Sequence, residues 1–188
     1  MSDPTKTTLT QERLKELLRY DPETGVFTWL PRSVEQFSDT KRFKAKTNWA
    51  RWNTLYEGQR AGCLRDNEDN SVVIRVDGRT YLSHRLAWLY MIGGWPKQEI
   101  DHKDLDRSNN AWSNLRGATR AEQMANRSVL PQSAIGLKGV EPRGRRFRAY
   151  INVNRKRVYL GNYDTIDEAS SAYMAAAIKH FGEFARVA

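Results

Sequence analysis

Apolar positions recur along the chain in two spacings, every second residue in short runs and every third or fourth residue in longer ones. The helical spacing predicts a first helix over residues 11–20, which Thr10 can cap. Alternation predicts a strand over 26–29 and a hairpin over 72–82 that turns at an Asp-Gly pair. The first part of the chain therefore mixes helices and strands.

The middle of the chain carries the same mixture. Ser83 can cap a helix over 84–91, which the following glycines end. A short apolar entry at 99–100 predicts a strand that leads into a loop over 104–110, because that loop is rich in turn formers. Residues 120–127 have a helical pattern. We therefore predict a strand, a polar loop, a second short strand and a helix in succession.

The last fifty residues predict a small unit of their own, behind a linker over 128–136. Three strand-like runs are followed by a helix that Thr165 and Glu168 open as a capping box. The runs cover residues 139–141, 147–153 and 157–161. In the second run alternate residues are apolar, so one sheet face is core and the other is polar, basic and aromatic.

Residues 31–60 interleave Lys and Arg with Phe43, Trp49 and Trp52. Such a stretch can follow a nucleic-acid backbone, with the rings as stacking surfaces. It can equally be a solvated helix or loop that its Trp residues anchor to the core. The sequence leaves both interpretations open for the aromatic residues.

Composition adds a charge argument. The 188 residues hold 31 Lys and Arg against 22 Asp and Glu, for a formal net charge of +9 and a pI near 9.8. This excess favours a polyanionic partner such as nucleic acid, although a basic soluble protein fits too. Cys63 is the only cysteine, which excludes an intramolecular disulfide. The sequence has no signal-peptide pattern or membrane-span pattern, so we expect a cytoplasmic protein without membrane contact.

The candidate chemistry lies at the mouth of the central loop. Asp101 supplies the oxygen ligands that a divalent cation such as Mg²⁺ requires. His102 is a natural general base near neutral pH. The amide oxygen of Asn114, on the next strand-like segment, could hold the imidazole in one tautomer.

These residues resemble the HNH endonucleases of the phage and homing type. The resemblance rests on Asp101-His102, on Asn114 within Ser-Asn-Leu-Arg, and on the Ala-Thr-Arg and Asn-Arg runs that follow. It implies a hairpin and helix that hold one Mg²⁺ or Mn²⁺, with Asp101 as metal ligand, His102 as the base and Asn114 orienting His102. The family's third position, usually Asn or His on the following helix, falls on Gln123, which as a metal ligand would keep the amide oxygen on an arm one methylene longer.

The C-terminal segment resembles the AP2 DNA-binding domain over 137–187. The resemblance rests on Leu-Gly-Asn-Tyr-Asp-Thr, Glu-Ala, Ala-Tyr and Phe-Gly-Glu-Phe-Ala. It implies that the exposed sheet face contacts the DNA major groove. The implied contact residues are Arg143, Arg148, Tyr150, Asn152, Arg157 and Tyr159.

Together these patterns predict an α+β protein: an HNH ββα-metal nuclease domain with an N-terminal extension over 1–127, a linker over 128–136 and an AP2-like domain over 137–188. The implied activity is site-specific nicking of double-stranded DNA by a monomer or homodimer. The alternatives are a DNA-binding regulator whose nuclease centre is weakened by Gln123, and an RNA-binding module.

Overall fold

A computed structural model describes residues 9–65, 70–127 and 135–186. The chain divides into two compact units, Met1–Arg116 and Gly117–Ala188. Most of the predicted linker, 128–134, lies outside the described residues, so the domain boundaries remain a prediction. None of the helices in the described ranges is long and apolar enough to cross a membrane.

The described residues of the first unit form three α-helices and several short strands. The helices are α1 (Gln11–Leu17), α2 (Ala45–Tyr56) and α3 (Ser83–Ile92). The strands are β1 (Leu18–Tyr20), β2 (Phe27–Trp29), β3 (Cys63–Leu64), β4 (Val72–Val76), β5 (Arg79–Leu82), β6 (Glu99–His102) and β7 (Leu115–Ala118), the last of which crosses the division between the units. They form sheets in the orders β1-β2, β3-β4-β5 and β6-β7.

The first helix is shorter than the sequence predicts. Thr10 caps α1 as expected, its side chain accepting a hydrogen bond from the Arg13 amide at 3.2 Å. The prediction that the helix runs to residue 20 is wrong, because Leu18 pairs with Trp29 and the chain continues as β1. Leu18 and Tyr20 are both buried, so the strand adds to the core that α1 begins.

The β4–β5 hairpin is confirmed, with both turn residues at positive φ. It runs directly into α3, so Ser83 is the first residue of the helix, and the prediction that it caps the helix is wrong. The left-handed Gly93, at φ 86°, ends α3 as expected. Buried side chains of α1, α3, the β1–β2 sheet and β4 share one hydrophobic core, which also contains Ile100 and Leu115.

The second unit contains α4, a three-stranded antiparallel sheet and α5. Their bounds are α4 (Arg120–Asn126), β8 (Val140–Arg143), β9 (Arg146–Val153), β10 (Lys156–Tyr163) and α5 (Ile166–Phe181). The sheet has the order β10-β9-β8, and its buried face packs on α5 through Ala149, Ile151 and Tyr173. The capping box at Thr165 and Glu168 is confirmed. The α+β class and the C-terminal sheet packed on one helix are therefore as predicted.

Candidate active site

Asp101 and His102 are adjacent on β6, and both are buried, with 9% and 5% of their surface exposed. Because neighbouring residues of a strand face opposite sides, the two side chains have different partners. Asp101 contacts Arg116, whereas His102 contacts Asn110 and His84. Asp101 therefore lies beside a guanidinium, whereas the next residue, His102, lies beside an amide and a second imidazole.

The Asp101 carboxylate forms a buried ion pair with Arg116. Nε and Nη2 of Arg116 each lie 2.9 Å from Oδ2 of Asp101, and both side chains are about nine-tenths buried. Arg116 is the last residue of the Ser-Asn-Leu-Arg motif, and no local pattern predicted this ion pair. The guanidinium fixes the orientation of the carboxylate that the family resemblance assigns to a metal ion.

His102 is oriented by Asn110. Nε2 of His102 lies 3.2 Å from Oδ1 of Asn110, and the Asn110 amide nitrogen donates to the carbonyl oxygen of Ser108 at 3.0 Å. Because the amide nitrogen is used by Ser108, the oxygen faces the imidazole and accepts from an Nε2–H. In this tautomer the lone pair lies on Nδ1, which is then the nitrogen that can accept a proton.

The surroundings keep His102 neutral near pH 7. Burial lowers the pKa of His102 below its ordinary value, although the Asn110 hydrogen bond and the charges of Asp104 and Asp101 act in the opposite direction. The ring of His84, at the start of α3, packs edge-on against His102 with the centroids 5.1 Å apart. A neutral imidazole with one oriented lone pair has the form that a general base requires.

Asn114 has a different set of partners from the one expected. Its amide nitrogen donates to Oδ1 of Asp104 and to the Asn109 carbonyl, each at 2.9 Å. Its amide oxygen accepts from the Asp104 backbone at 3.1 Å. Asn114 therefore closes the base of the loop, and the side chain that meets the His102 ring is Asn110. The sequence analysis placed Asn110 in the polar loop and Asn114 on the strand-like segment that follows, and no local pattern indicated which of the two contacts His102.

The β1–β2 hairpin holds Asn110 from the other side. The hydroxyl of buried Tyr20 donates to the Asn110 carbonyl at 2.7 Å, and the Trp112 amide donates to the Pro22 carbonyl at 2.8 Å. Gly25 has φ 71° and packs so closely that a Cβ there would lie less than 3.0 Å from the Asn110–Ala111 peptide. The N-terminal hairpin is thus the support of the loop that orients His102, a role that no local sequence signal indicated.

Gln123 lies on α4, whose N-terminus is closed by a capping box between Thr119 and Glu122. Asn126, one turn on, is buried and accepts a hydrogen bond from Nε of Arg186 at 2.8 Å. Asn126 thus helps to pack the second unit. The metal-binding role of Gln123 remains a prediction.

The described residues contain no cluster of three or more His, Cys, Asp and Glu side chains that could enclose a metal ion. Mg²⁺ does not require such a cluster, because it is usually held by one or two carboxylates together with substrate phosphates and water. The buried carboxylate of Asp101 is a donor of that kind. The chemistry of the residues present therefore fits an ion completed by DNA.

The exposed face of the C-terminal sheet gathers residues predicted to contact DNA. Tyr150 pairs with Tyr159 and Asn152 with Arg157, and the Arg157 guanidinium lies 4.0 Å from the Tyr150 ring centroid. Arg148 of β9 forms an ion pair at 3.2 Å with Glu141 of the neighbouring strand β8. The remaining predicted contact, Arg143, lies two residues beyond that glutamate. The binding role of all six residues remains a prediction.

Comparison with known families identifies the central segment. Residues 81–125, which run from β5 to α4, match the family model described as HNH endonuclease. This segment is therefore similar to the HNH endonucleases, a family of hydrolases that act on DNA and typically use one divalent metal ion. The match covers less than half of the chain and gives no support to an AP2 domain or to a phage or homing origin. No curated protein and no solved structure matches the chain.

Proposed function

We propose that the chain cuts one strand of double-stranded DNA, with His102 as the general base and the C-terminal sheet as an AP2-like targeting surface. The observation that carries the proposal is the buried His102, whose Nε2 lies 3.2 Å from Oδ1 of Asn110, so that the other ring nitrogen, Nδ1, is the candidate base. This imidazole lies inside the segment that matches the HNH endonucleases. A nuclease of this kind needs such a base to activate the attacking water.

In the proposed reaction Nδ1 of His102 takes a proton from water as the water oxygen attacks the phosphorus. Asn110 keeps the ring in place and stabilises the imidazolium through its amide oxygen. Asp101 and Gln123 would hold the divalent ion together with phosphate oxygens of the DNA. When bound, the ion supplies positive charge for the pentavalent phosphate and the leaving 3′ oxygen. One base per chain favours a nick, so a double-strand break would require two chains.

The C-terminal sheet would locate the cleavage site. Its exposed face carries arginine, asparagine and tyrosine side chains on two paired strands, the combination that reads base edges and phosphates. Because Arg148 is paired with Glu141, its charge is partly compensated before DNA binds. We propose as the contact set Arg143, Arg148, Tyr150, Asn152, Arg157 and Tyr159.

The decisive experiment is conversion of supercoiled plasmid to the nicked form in Mg²⁺ or Mn²⁺. It compares the unchanged chain with His102→Ala and with His180→Ala, a matched control because His180 is exposed on α5. We expect nicking by the unchanged chain and the control, and loss of at least about a hundredfold in His102→Ala. Equal activity of His102→Ala would remove His102 as the base. If the unchanged chain binds duplex DNA but nicks it with neither ion, the regulator interpretation replaces the nuclease.

A further inference from the structure

Arg32 is held rigidly in the loop between β2 and α2. Nε1 of Trp49 donates to the Arg32 carbonyl at 2.7 Å, and the Asn53 amide donates to the same oxygen at 2.9 Å. The Arg32 amide in turn donates to Oδ1 of Asn53 at 3.0 Å. Two side chains of α2 thus fix both backbone polar groups of this one residue.

The Arg32 guanidinium is also fixed, and the charge of Asp77, which is itself paired with Arg13, acts on it electrostatically. It lies 4.2 Å from the ring centroid of Trp52 and 5.4 Å from that of Trp29. Its Nε is buried and has no hydrogen-bond partner in residues 9–65, 70–127 and 135–186, and no ion pair in those ranges includes Arg32. The indole rings therefore orient this planar cation, and its Nε–H has no acceptor among the described residues.

A groove of about 530 Å³ opens beside this cation. It is lined by Arg32, Ser33, Val34, Glu35, Lys46 and Trp49. Lys46 is exposed, and no residue of α2, which lies wholly within the described chain, is buried. In the same stretch of the chain the guanidinium groups of Arg42 and Arg51 lie over the Phe43 ring, at 5.2 and 4.7 Å. Glu35 is the one acidic group in this lining, so the cations outnumber it.

We propose that this groove binds a phosphodiester of duplex DNA, with Arg32 and Lys46 as the two contacts to phosphate oxygens. A guanidinium offers a fork of N–H donors that matches phosphate, and stacking on indoles removes the ordering entropy that a mobile arginine would lose on binding. Only the identity of the substrate, DNA, rests on the proposed function. The site extends the DNA footprint to a part of the chain outside the family match.

The test measures the salt dependence of affinity for a fluorescent duplex by anisotropy. It uses Arg32→Gln and Lys46→Gln, with Lys15→Gln as a control of equal charge change on α1, where Lys15 is exposed. Removing one phosphate contact reduces the slope of log affinity against log salt by about 0.9, and we expect affinity to fall about tenfold for Arg32→Gln. The control should keep the original slope. Slopes in both groove variants equal to that of the control would overturn the proposal.

Two further measurements distinguish phosphate binding at the groove from a general disturbance of the fold. Thermal unfolding shows whether Arg32→Gln disturbs the aromatic cluster, and Lys46→Gln, at an exposed position, tests the groove without that risk. His102→Ala should lose nicking and keep its salt slope, which separates the groove from the catalytic centre. If the unchanged chain does not nick, the binding measurement still decides the site. Weakened binding of duplex RNA with unchanged binding of duplex DNA would also overturn the proposal.

Discussion

Substitution of Gly25 by Ala tests whether the β1–β2 hairpin shapes the active-site loop. Gly25 has φ 71°, where an L-residue costs about 1–2 kcal/mol, and its Cβ would overlap the Asn110–Ala111 peptide. The loop would have to move by roughly an ångström to restore ordinary contact, at a further cost of about 1–3 kcal/mol. The free energy of unfolding should therefore fall by about 2–5 kcal/mol.

Gly78→Ala is the matched control, because Gly78 has φ 78° with nothing within 4 Å of its Cβ position. This variant bears the backbone strain alone and should lose about 1–2 kcal/mol. Thermal unfolding measures the stability of both variants, and plasmid nicking per folded molecule measures the site. We expect Gly25→Ala to be the less stable protein and to lose most of its nicking, because a displaced Asn110 no longer orients His102. Equal stability of the two variants, or full nicking by folded Gly25→Ala, would refute the reasoning.

The remaining predictions concern the loop, the metal ligand and pH. Asn110→Ala should reduce nicking at least about tenfold at unchanged DNA affinity, because His102 loses the side chain that orients it. Asn114→Ala should chiefly lower thermal stability. The reverse pattern would show that Asn114 is the residue that orients His102. Gln123→Asn should lower the Mn²⁺ concentration needed for half-maximal nicking, because the HNH family usually has a shorter side chain, Asn or His, at this position. An unchanged Mn²⁺ concentration would remove Gln123 from the set of metal ligands. Burial, with the Arg186 charge, lowers the pKa of Lys138 to about 8. The folded state therefore binds fewer protons than the unfolded state between about pH 8 and 10.5. The free energy of unfolding, measured with urea, should rise across that window by about 1 kcal/mol after discounting for solvent screening. Lys138→Met should abolish this rise.

Local patterns predicted the elements well where the signal was itself local. The Asp-Gly turn determined the β4–β5 hairpin, and Thr165 with Glu168 determined the start of α5. The end of α1 was missed because Leu18 suits either a helix or a strand, and its pairing with Trp29 decides between them. The helical spacing of residues 11–20 contains no information about a strand partner at Trp29.

The candidate site was predicted in part for the same reason. Asp101 and His102 stood out because their residue types carry chemistry. Arg116 and Asn110 did not, since arginine and asparagine are ordinary residues at a strand and in a polar loop. Their importance arises from contacts between residues far apart in the sequence. One example is the hydrogen bond from the Tyr20 hydroxyl to the Asn110 carbonyl, which joins residues 90 positions apart. No window of the sequence contains both ends of such a contact.

That long-range contact bears on the order in which the candidate active site forms. The hairpin bearing Tyr20 leaves the ribosome well before its partner loop, which follows only after the intervening helices and strands have been made. Closing so large a span is slow compared with forming a local turn, so the base should be among the last parts of the molecule to acquire its working geometry. A nascent chain that already exposes basic residues would therefore meet nucleic acid before it is competent to cut it.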